Sequence, residues 1–392
     1  MKICMLAFGI ENEKPEAVNK FVYTLSRKLV DHGDEVFFIN LSDNNSITSC
    51  SRFKVYNIKV LSKNKKYLSF FYFINFIKQF KNIFKKESPD ILHDHFSLAG
   101  LSFIISNIIN INKTGVKLVK TVYNHRISFL ELFSKNIQGF LNESLPRIVL
   151  DNYLIREIAY LRFNKVIVIS KKLLRETKHP NKIYIPISIE DKYFCKVPIA
   201  ELTKYKSMLG IKNQRIVLFL GHNSYRKGIH KIISSIKKVN KMLGEEVLFI
   251  FAISGLGELT TIYNEFKKNE IQSRNYRVLG KVDSHKMYLI SDCFVNPILN
   301  KWGAIAIPLT ILEAMASRTY VLASNTASVD EVVKDRVTGF LFNKDKNEIS
   351  EEIIHVLKIR NKTILQNAYK VLEDFKLNKI FPQYLRVYKD EI

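Results

Sequence analysis

Short apolar runs alternate with longer stretches of helical spacing along most of this chain. Lys2 to Phe8 is apolar almost throughout, as a strand buried on both faces must be. Val18, Phe21, Val22, Leu25 and Leu29 then recur at helical intervals, which predicts a helix with one covered face. Gly33 follows where a left-handed stop is needed, and Glu35 to Asn40 supplies the next strand. Asp90 to Leu92, Lys117 to Val122 and Lys165 to Ser170 continue the alternation. Strands separated by helices predict a parallel, doubly wound sheet.

The alternation breaks near 186–211 and then restarts. Arg215 to Leu220, a helix from about Gly228, and Val247 to Ala252 open a second α/β region. Arg277 to Leu279, Cys293 to Pro297, Tyr320 to Ala323 and Gly339 to Phe342 extend it. The stretch Phe375 to Ile392 has helical spacing, with Phe381, Tyr384 and Tyr388 on its apolar side. Two such regions predict a cleft at the carboxyl ends of their strands, where ligands bind in doubly wound folds.

Composition adds a charge to this picture. The chain has 392 residues, 61 Lys plus Arg and 37 Asp plus Glu, for a net charge of +24. That excess points to an anionic partner: a phosphorylated substrate, a membrane surface or nucleic acid. Charge is the main argument for nucleic acid. No recognition module is visible, so no nucleic-acid partner is expected. Cys4, Cys50, Cys195 and Cys293 lie far apart, which predicts neither a disulfide framework nor a zinc site. The opening MKICMLAFGI runs into Glu11 and Glu13, so a buried strand is expected there rather than a signal peptide.

Several segments carry candidate chemistry. Gly221-His222-Asn223-Ser224-Tyr225-Arg226-Lys227-Gly228 follows a strand and opens a helix. Such a turn suits an anion, with Arg226 and Lys227 adding charge, although a solvated turn explains it equally well. Pro308-Leu309-Thr310 starts another helix with Glu313 in its first turns. Backbone N–H groups there can hold phosphate, and Glu313 can accept from ribose hydroxyls or merely complement the helix dipole. Gly255 and Gly257 form a glycine-rich turn of low specificity. His93 and His95 lie at a strand end, where hydrogen-bonding loop histidines are commoner than metal ligands. Arg52 to Lys86 contains basic residues and no acid. Within it Phe70, Phe73, Ile74, Ile77, Phe80 and Phe84 recur at helical spacing opposite Lys78, Lys81 and Lys85. The apolar side is expected to cover the sheet. The Lys side and the Lys63–Lys66 cluster are then left to meet anionic lipid.

The order of these segments resembles retaining glycosyltransferases of the GT-B fold, specifically glycosyltransferase family 4. GHNSYRKG is similar to the family's G-R-L-x-x-x-K-G, and residues 278–297 to its F-x-G-x-V segment ending in A-D-x-x-x-x-P. Residues 308–342 are similar to its long L-E-A-M-A core, and residues 162–194 to its hinge approach. The resemblance implies two Rossmann-like domains, 1–198 and 199–375, with a C-terminal helix at 376–392 packing back on the first. It implies a nucleotide-diphosphate sugar held by the second domain, an acceptor presented by the first, and retention without a required metal or other cofactor.

Carried over by position, Lys227 neutralises the diphosphate leaving group. The family Arg falls on His222, and Arg226 stands in for its charge. Gly221, Gly255 and the amides of Leu309 and Thr310 line the donor site, and Glu313 binds the ribose. Glu313 matches the second acid of the family's E-x7-E, whereas the first falls on Ile305. The family His that faces the donor sugar maps to Tyr123 or, by a local shift, to His125. His93 and His95 are expected to line the acceptor cleft with Tyr123. The implied activity is transfer to a lipid-linked or envelope glycan at the inner face of the cell membrane, by a cytoplasmic or peripheral protein. The lost acid at Ile305 suggests an alternative, a non-catalytic partner subunit of an active transferase.

Overall fold

The computed structural model describes residues 1–8, 17–42, 45–50, 52–59, 70–96, 99–111, 115–125, 153–243, 247–253, 259–299, 301, 304–343, 349–359 and 361–392. The chain divides into two compact units, Met1–Ile187 with Asn378–Ile392, and Ser188–Leu377.

The first unit contains β1 (Lys2–Phe8), α1 (Ala17–Asp31), β2 (Glu35–Ser42), β3 (Ser46–Cys50), β4 (Phe53–Lys59), α2 (Phe70–Glu87) and β5 (Ile91–Asp94). It continues with α3 (Ala99–Ile111), β6 (Lys117–Val122), α4 (Tyr153–Tyr160), β7 (Lys165–Val168), α5 (Lys171–Glu176) and β8 (Lys182–Tyr184). Its eight strands run β3-β4-β2-β1-β5-β6-β7-β8. All neighbours are parallel except β3 and β4, which pair antiparallel. The expected all-parallel sheet is therefore corrected at one edge. The first part of the basic segment forms β4, in which Phe53, Val55, Tyr56 and Ile58 are buried.

Helix α2 covers this sheet with Phe76, Phe80 and Phe84 and exposes Lys78, Lys81 and Lys85, as its spacing predicts. Ile74 departs from the expectation and is exposed. The helix ends on Glu87, whose carboxylate receives Lys2 at 2.8 Å and Lys54 at 2.8 Å, and also the Tyr56 hydroxyl. Burial alone would raise this carboxyl. The hydrogen bonds from Lys2, Lys54 and Tyr56 outweigh it and bring the pKa down to about 2.

The second unit contains α6 (Ile199–Met208), β9 (Arg215–Gly221), α7 (Ile229–Leu243), β10 (Val247–Ile253), α8 (Leu259–Lys268), β11 (Tyr276–Leu279) and α9 (Ser284–Ile290). It continues with β12 (Cys293–Asn296), α10 (Leu309–Ala316), β13 (Tyr320–Ser324), β14 (Phe340–Phe342), α11 (Ile349–Lys358) and α12 (Lys362–Val371). Its six strands are all parallel in the order β11-β10-β9-β12-β13-β14. Every residue of β10 is buried, because helices cover both faces of the sheet. Val217, Phe249 and Phe251 meet Ile233, Phe266 and Ile353 in its core.

The expected boundary at 198 moves to 187. Residues 188–198 make their contacts in the second unit: Ile189 bridges to Lys376, and Tyr193 packs on His285 and Tyr288. The last helix, α13 (Leu377–Tyr388), belongs to the first unit from Asn378 onward. There Tyr384 packs against Phe21 and His93.

Candidate active site

In each sheet the order of strands reverses direction at one point. In the second unit that point lies between β9 and β12, and in the first between β1 and β5. Ligands of doubly wound folds bind at the carboxyl ends of strands beside such a switch. The candidate residues of the second unit collect there.

The chain leaves β9 at Gly221 and makes a short 3-10 turn, Tyr225–Lys227, before α7. Gly228 closes the turn in the left-handed conformation, with φ 72°. A Cβ at Gly228 would lie 2.0 Å from the carbonyl oxygen of Pro297, just after β12. The Leu299 N–H donates to the Arg226 carbonyl at 3.0 Å. The turn is thus seated directly on the segment that follows the neighbouring strand. Asn223 ties it to α8 through Thr261 at 2.8 Å.

Lys227 is mostly withdrawn from solvent. Burial first, and then the charge of Arg226, lowers its pKa. Among the described residues no acceptor takes a hydrogen bond from its ammonium. Two adjacent cations with one largely desolvated make a local positive potential that an anion would relieve.

Helix α10 begins after Pro308, which offers no side-chain cap. Its first internal bond runs from the Ile311 N–H to the Pro308 carbonyl at 3.0 Å. The amides of Leu309 and Thr310 therefore point out of the helix start, where the dipole favours negative charge. Asn296, at the end of β12, reaches the Thr310 hydroxyl at 3.4 Å. Glu313 lies one turn further in and is 2% exposed. The Tyr288 hydroxyl donates to its Oε2 at 3.2 Å. Half-buried Ile305 brings no carboxylate to this unit's site.

In the first unit His93, His95 and Tyr123 form a buried cluster. His93 is 0% exposed, and both ring nitrogens are engaged at 2.7 Å, Nδ1 by Tyr388 and Nε2 by Thr121. That corrects its expected place lining a cleft. Burial, with a smaller contribution from Lys120, lowers its pKa to about 3, so the ring is neutral. His95 Nδ1 lies 2.7 Å from the Tyr123 hydroxyl, and burial keeps the ring neutral as well. Tyr123 is thus engaged by His95 and Thr121, and burial raises its own pKa. Beneath them Lys120 forms a fully buried ion pair with Asp94 at 3.2 Å.

His125 is placed differently. Its Nδ1 meets both oxygens of Glu176, at 3.0 and 2.9 Å, and Arg156 donates to its carbonyl at 3.2 Å. A carboxylate on Nδ1 makes that nitrogen the donor and Nε2 the acceptor of the neutral ring. This is the arrangement of an oriented histidine, and of the two expected candidates His125 has it. Glu176 closes the short helix α5, 51 positions away, and no spacing in the sequence connects the two.

The structure thus groups His222, Arg226 and Lys227 on the β9 turn and Leu309, Thr310 and Glu313 on α10. Gly255 and the Lys63–Lys66 cluster lie outside the described residues. Sequence reasoning missed Glu176, Asn296, Tyr193 and Tyr288. All four stood inside segments matched to the family, Glu176 and Tyr193 in 162–194 and Tyr288 and Asn296 in 278–297, but carried no assigned role.

Two families match this chain. Glycosyltransferase Family 4 matches residues 18–185, and Glycosyl transferases group 1 matches residues 203–371. The chain belongs to these glycosyltransferase families. One relative, an uncharacterized glycosyltransferase of Methanocaldococcus jannaschii, is 27% identical over 199 residues, 48% of either chain. The match thus spans about half the length of that relative. Sucrose-phosphate synthase from Thermosynechococcus elongatus superposes with a TM-score of 0.78 at 18% identity, covering 99% of this chain and 98% of that one. Anabaena HepE in complex with UDP-glucose gives 0.73 at 16% identity, covering 100% of both. These likenesses show the GT-B fold.

Proposed function

We propose that this protein is a retaining glycosyltransferase that moves a sugar from a nucleotide-diphosphate sugar to a glycan or lipid-linked acceptor, without a metal. The observation that carries this reading is Lys227. It is desolvated, repelled by Arg226, and held by the Gly228–Pro297 contact at the switch point of the second unit. Departure of a nucleoside diphosphate builds negative charge on its β-phosphate. Lys227, Arg226 and the amides of Leu309 and Thr310 stabilise that charge in place of a metal ion. Glu313 accepts from the ribose. His125, oriented by Glu176, serves the reacting sugar.

The acceptor belongs to the membrane face in this reading. Among the described residues no helix is long and apolar enough to cross a membrane. The exposed Lys78, Lys81, Lys85 and Lys86 of α2 give the first unit a cationic face for anionic headgroups.

A thermal-shift panel with UDP, GDP and ADP and their sugar conjugates, free of divalent metal, tests the donor site. A ligand at 100 times its dissociation constant stabilises by about 2.7 kcal/mol. One nucleotide series should raise the midpoint. No shift with any of them would overturn the reading in favour of a non-catalytic subunit. Binding to vesicles containing anionic lipid should weaken with salt, and indifference to both would remove the membrane.

A further inference from the structure

Glu313 sits unusually deep for a carboxylate that must meet a ligand. It is covered by two tyrosines from elements far apart in the chain. Tyr288 of α9 donates its hydroxyl to Oε2 at 3.2 Å. Its ring stands edge-on to Phe294 at 5.4 Å, and its carbonyl accepts from the Thr319 hydroxyl at 2.7 Å, so its direction is fixed. Tyr193 comes from the turn Asp191–Phe194, in the segment that enters the second unit at Ser188. Its ring lies 6.2 Å from that of Tyr288, and its hydroxyl is 2.7 Å from the Ser284 Oγ. Burial raises the pKa of both phenols, and the Glu313 charge adds to the shift in each. Both therefore remain protonated and can donate.

We infer that Tyr288 and Tyr193 are positioning residues that aim the Glu313 carboxylate at the ribose of the donor, and so set the preference of the site for ribonucleotides. The inference rests on the nucleotide-sugar reading above. A carboxylate only accepts hydrogen bonds, and the ribose 2′- and 3′-hydroxyls donate. With one oxygen held by Tyr288, the remaining lone pairs keep a fixed direction. Without the phenols, a buried carboxylate turns toward another donor, and that removes the acceptor. The segment joining the two units also acquires a role, since it delivers Tyr193 to the carboxylate that reads the sugar of the nucleotide.

The test is calorimetric titration of the full chain with whichever of UDP, GDP or ADP binds tightest, and with its 2′-deoxy and 3′-deoxy analogues. The wild type should prefer the ribonucleotide by about tenfold or more, the size of a hydrogen bond to a charged group. Tyr288→Phe should cut that ratio to about threefold, and Tyr193→Phe should reduce it less. Glu313→Ala should bring it near one, and adding Tyr288→Phe should then change nothing further. Tyrosines of purely structural importance would weaken ribo- and deoxynucleotides equally, and an unchanged ratio in both Phe variants overturns the inference. A full ratio in Glu313→Ala removes Glu313 from the ribose, and the inference with it, while nucleotide binding stands. A wild type that binds none of the three defeats the donor reading itself.

Discussion

Gly228 and Pro297 stand in backbone contact, so close that a Cβ on the glycine would fall 2.0 Å from the proline carbonyl oxygen. Backbone cannot yield as the end of a flexible side chain can, and φ at Gly228 is in the left-handed region. Gly228→Ala should therefore displace the turn that carries Arg226 and Lys227. We expect a fall of more than about tenfold in nucleotide affinity with the fold retained, measured by calorimetry beside circular dichroism. Wild-type affinity in this variant would mean that the turn does not hold the nucleotide.

Lys227→Ala removes the desolvated cation. Donor-dependent turnover should drop by more than about tenfold, because the lost interaction strengthens as charge develops on the leaving group. Lys227→Arg should recover only part of the rate, since a planar guanidinium does not fit the space of a compact ammonium. Steady-state kinetics with radiolabelled donor would check both variants. An unchanged rate in Lys227→Ala would exclude it from the transition state.

Glu176→Gln tests the oriented histidine. The carboxamide can keep a hydrogen bond to His125 but no longer fixes its tautomer. Turnover should fall about tenfold while nucleotide affinity stays near wild type, as both residues lie in the first unit and the proposed donor site in the second. Equal loss of binding and rate would point instead to a general disturbance.

Acid stability follows from Glu87. Its folded pKa of about 2 lies below the ordinary 4.5, so its contribution is present above pH 4.5 and is lost as pH falls toward 2. With allowance for the solvent at Lys54, that contribution is about 2 kcal/mol. Urea unfolding at pH 7 should find Glu87→Gln less stable than wild type, with the gap narrowing below pH 4.5. A gap that stays constant down to pH 3 would show that the ion pairs are not its source.

His93 acts in a different range. Its folded pKa is about 3 against an ordinary 6.5. Below pH 6.5 the unfolded chain takes up a proton that the folded ring refuses, so stability falls as pH drops through this window. His95, lowered in the same direction, adds to the slope. The unfolding midpoint should fall between pH 7 and pH 5, more steeply than in His93→Asn. Parallel slopes would assign the loss to other groups.

Many of the strands were legible because buried parallel strands must be apolar throughout, as Val247–Ile253 is. The β9 turn was legible because anion binding needs small residues and cations at a helix start. The hairpin of β3 and β4 was not, since Ser46–Cys50 is short, polar and placed at an edge. The fate of His93 was hidden for another reason. Tyr388, which engages one of its nitrogens, lies 295 positions away, and nothing local marks the pair. Glu313 was found by its place in a helix, but its tyrosine partners come from a turn and a helix that only tertiary packing brings together.

The first unit leaves the chain at Ile187 and takes it up again at Asn378. Tyr384 and Tyr388, which seal His93, are therefore synthesised after the whole of the second unit. On the ribosome the second unit can complete its own core first, while the polar cluster of the first stays uncovered until Asn378–Ile392 has been made. Of these two units the one begun earlier is completed later, and a nascent chain stalled before position 378 would carry one complete unit and one open one.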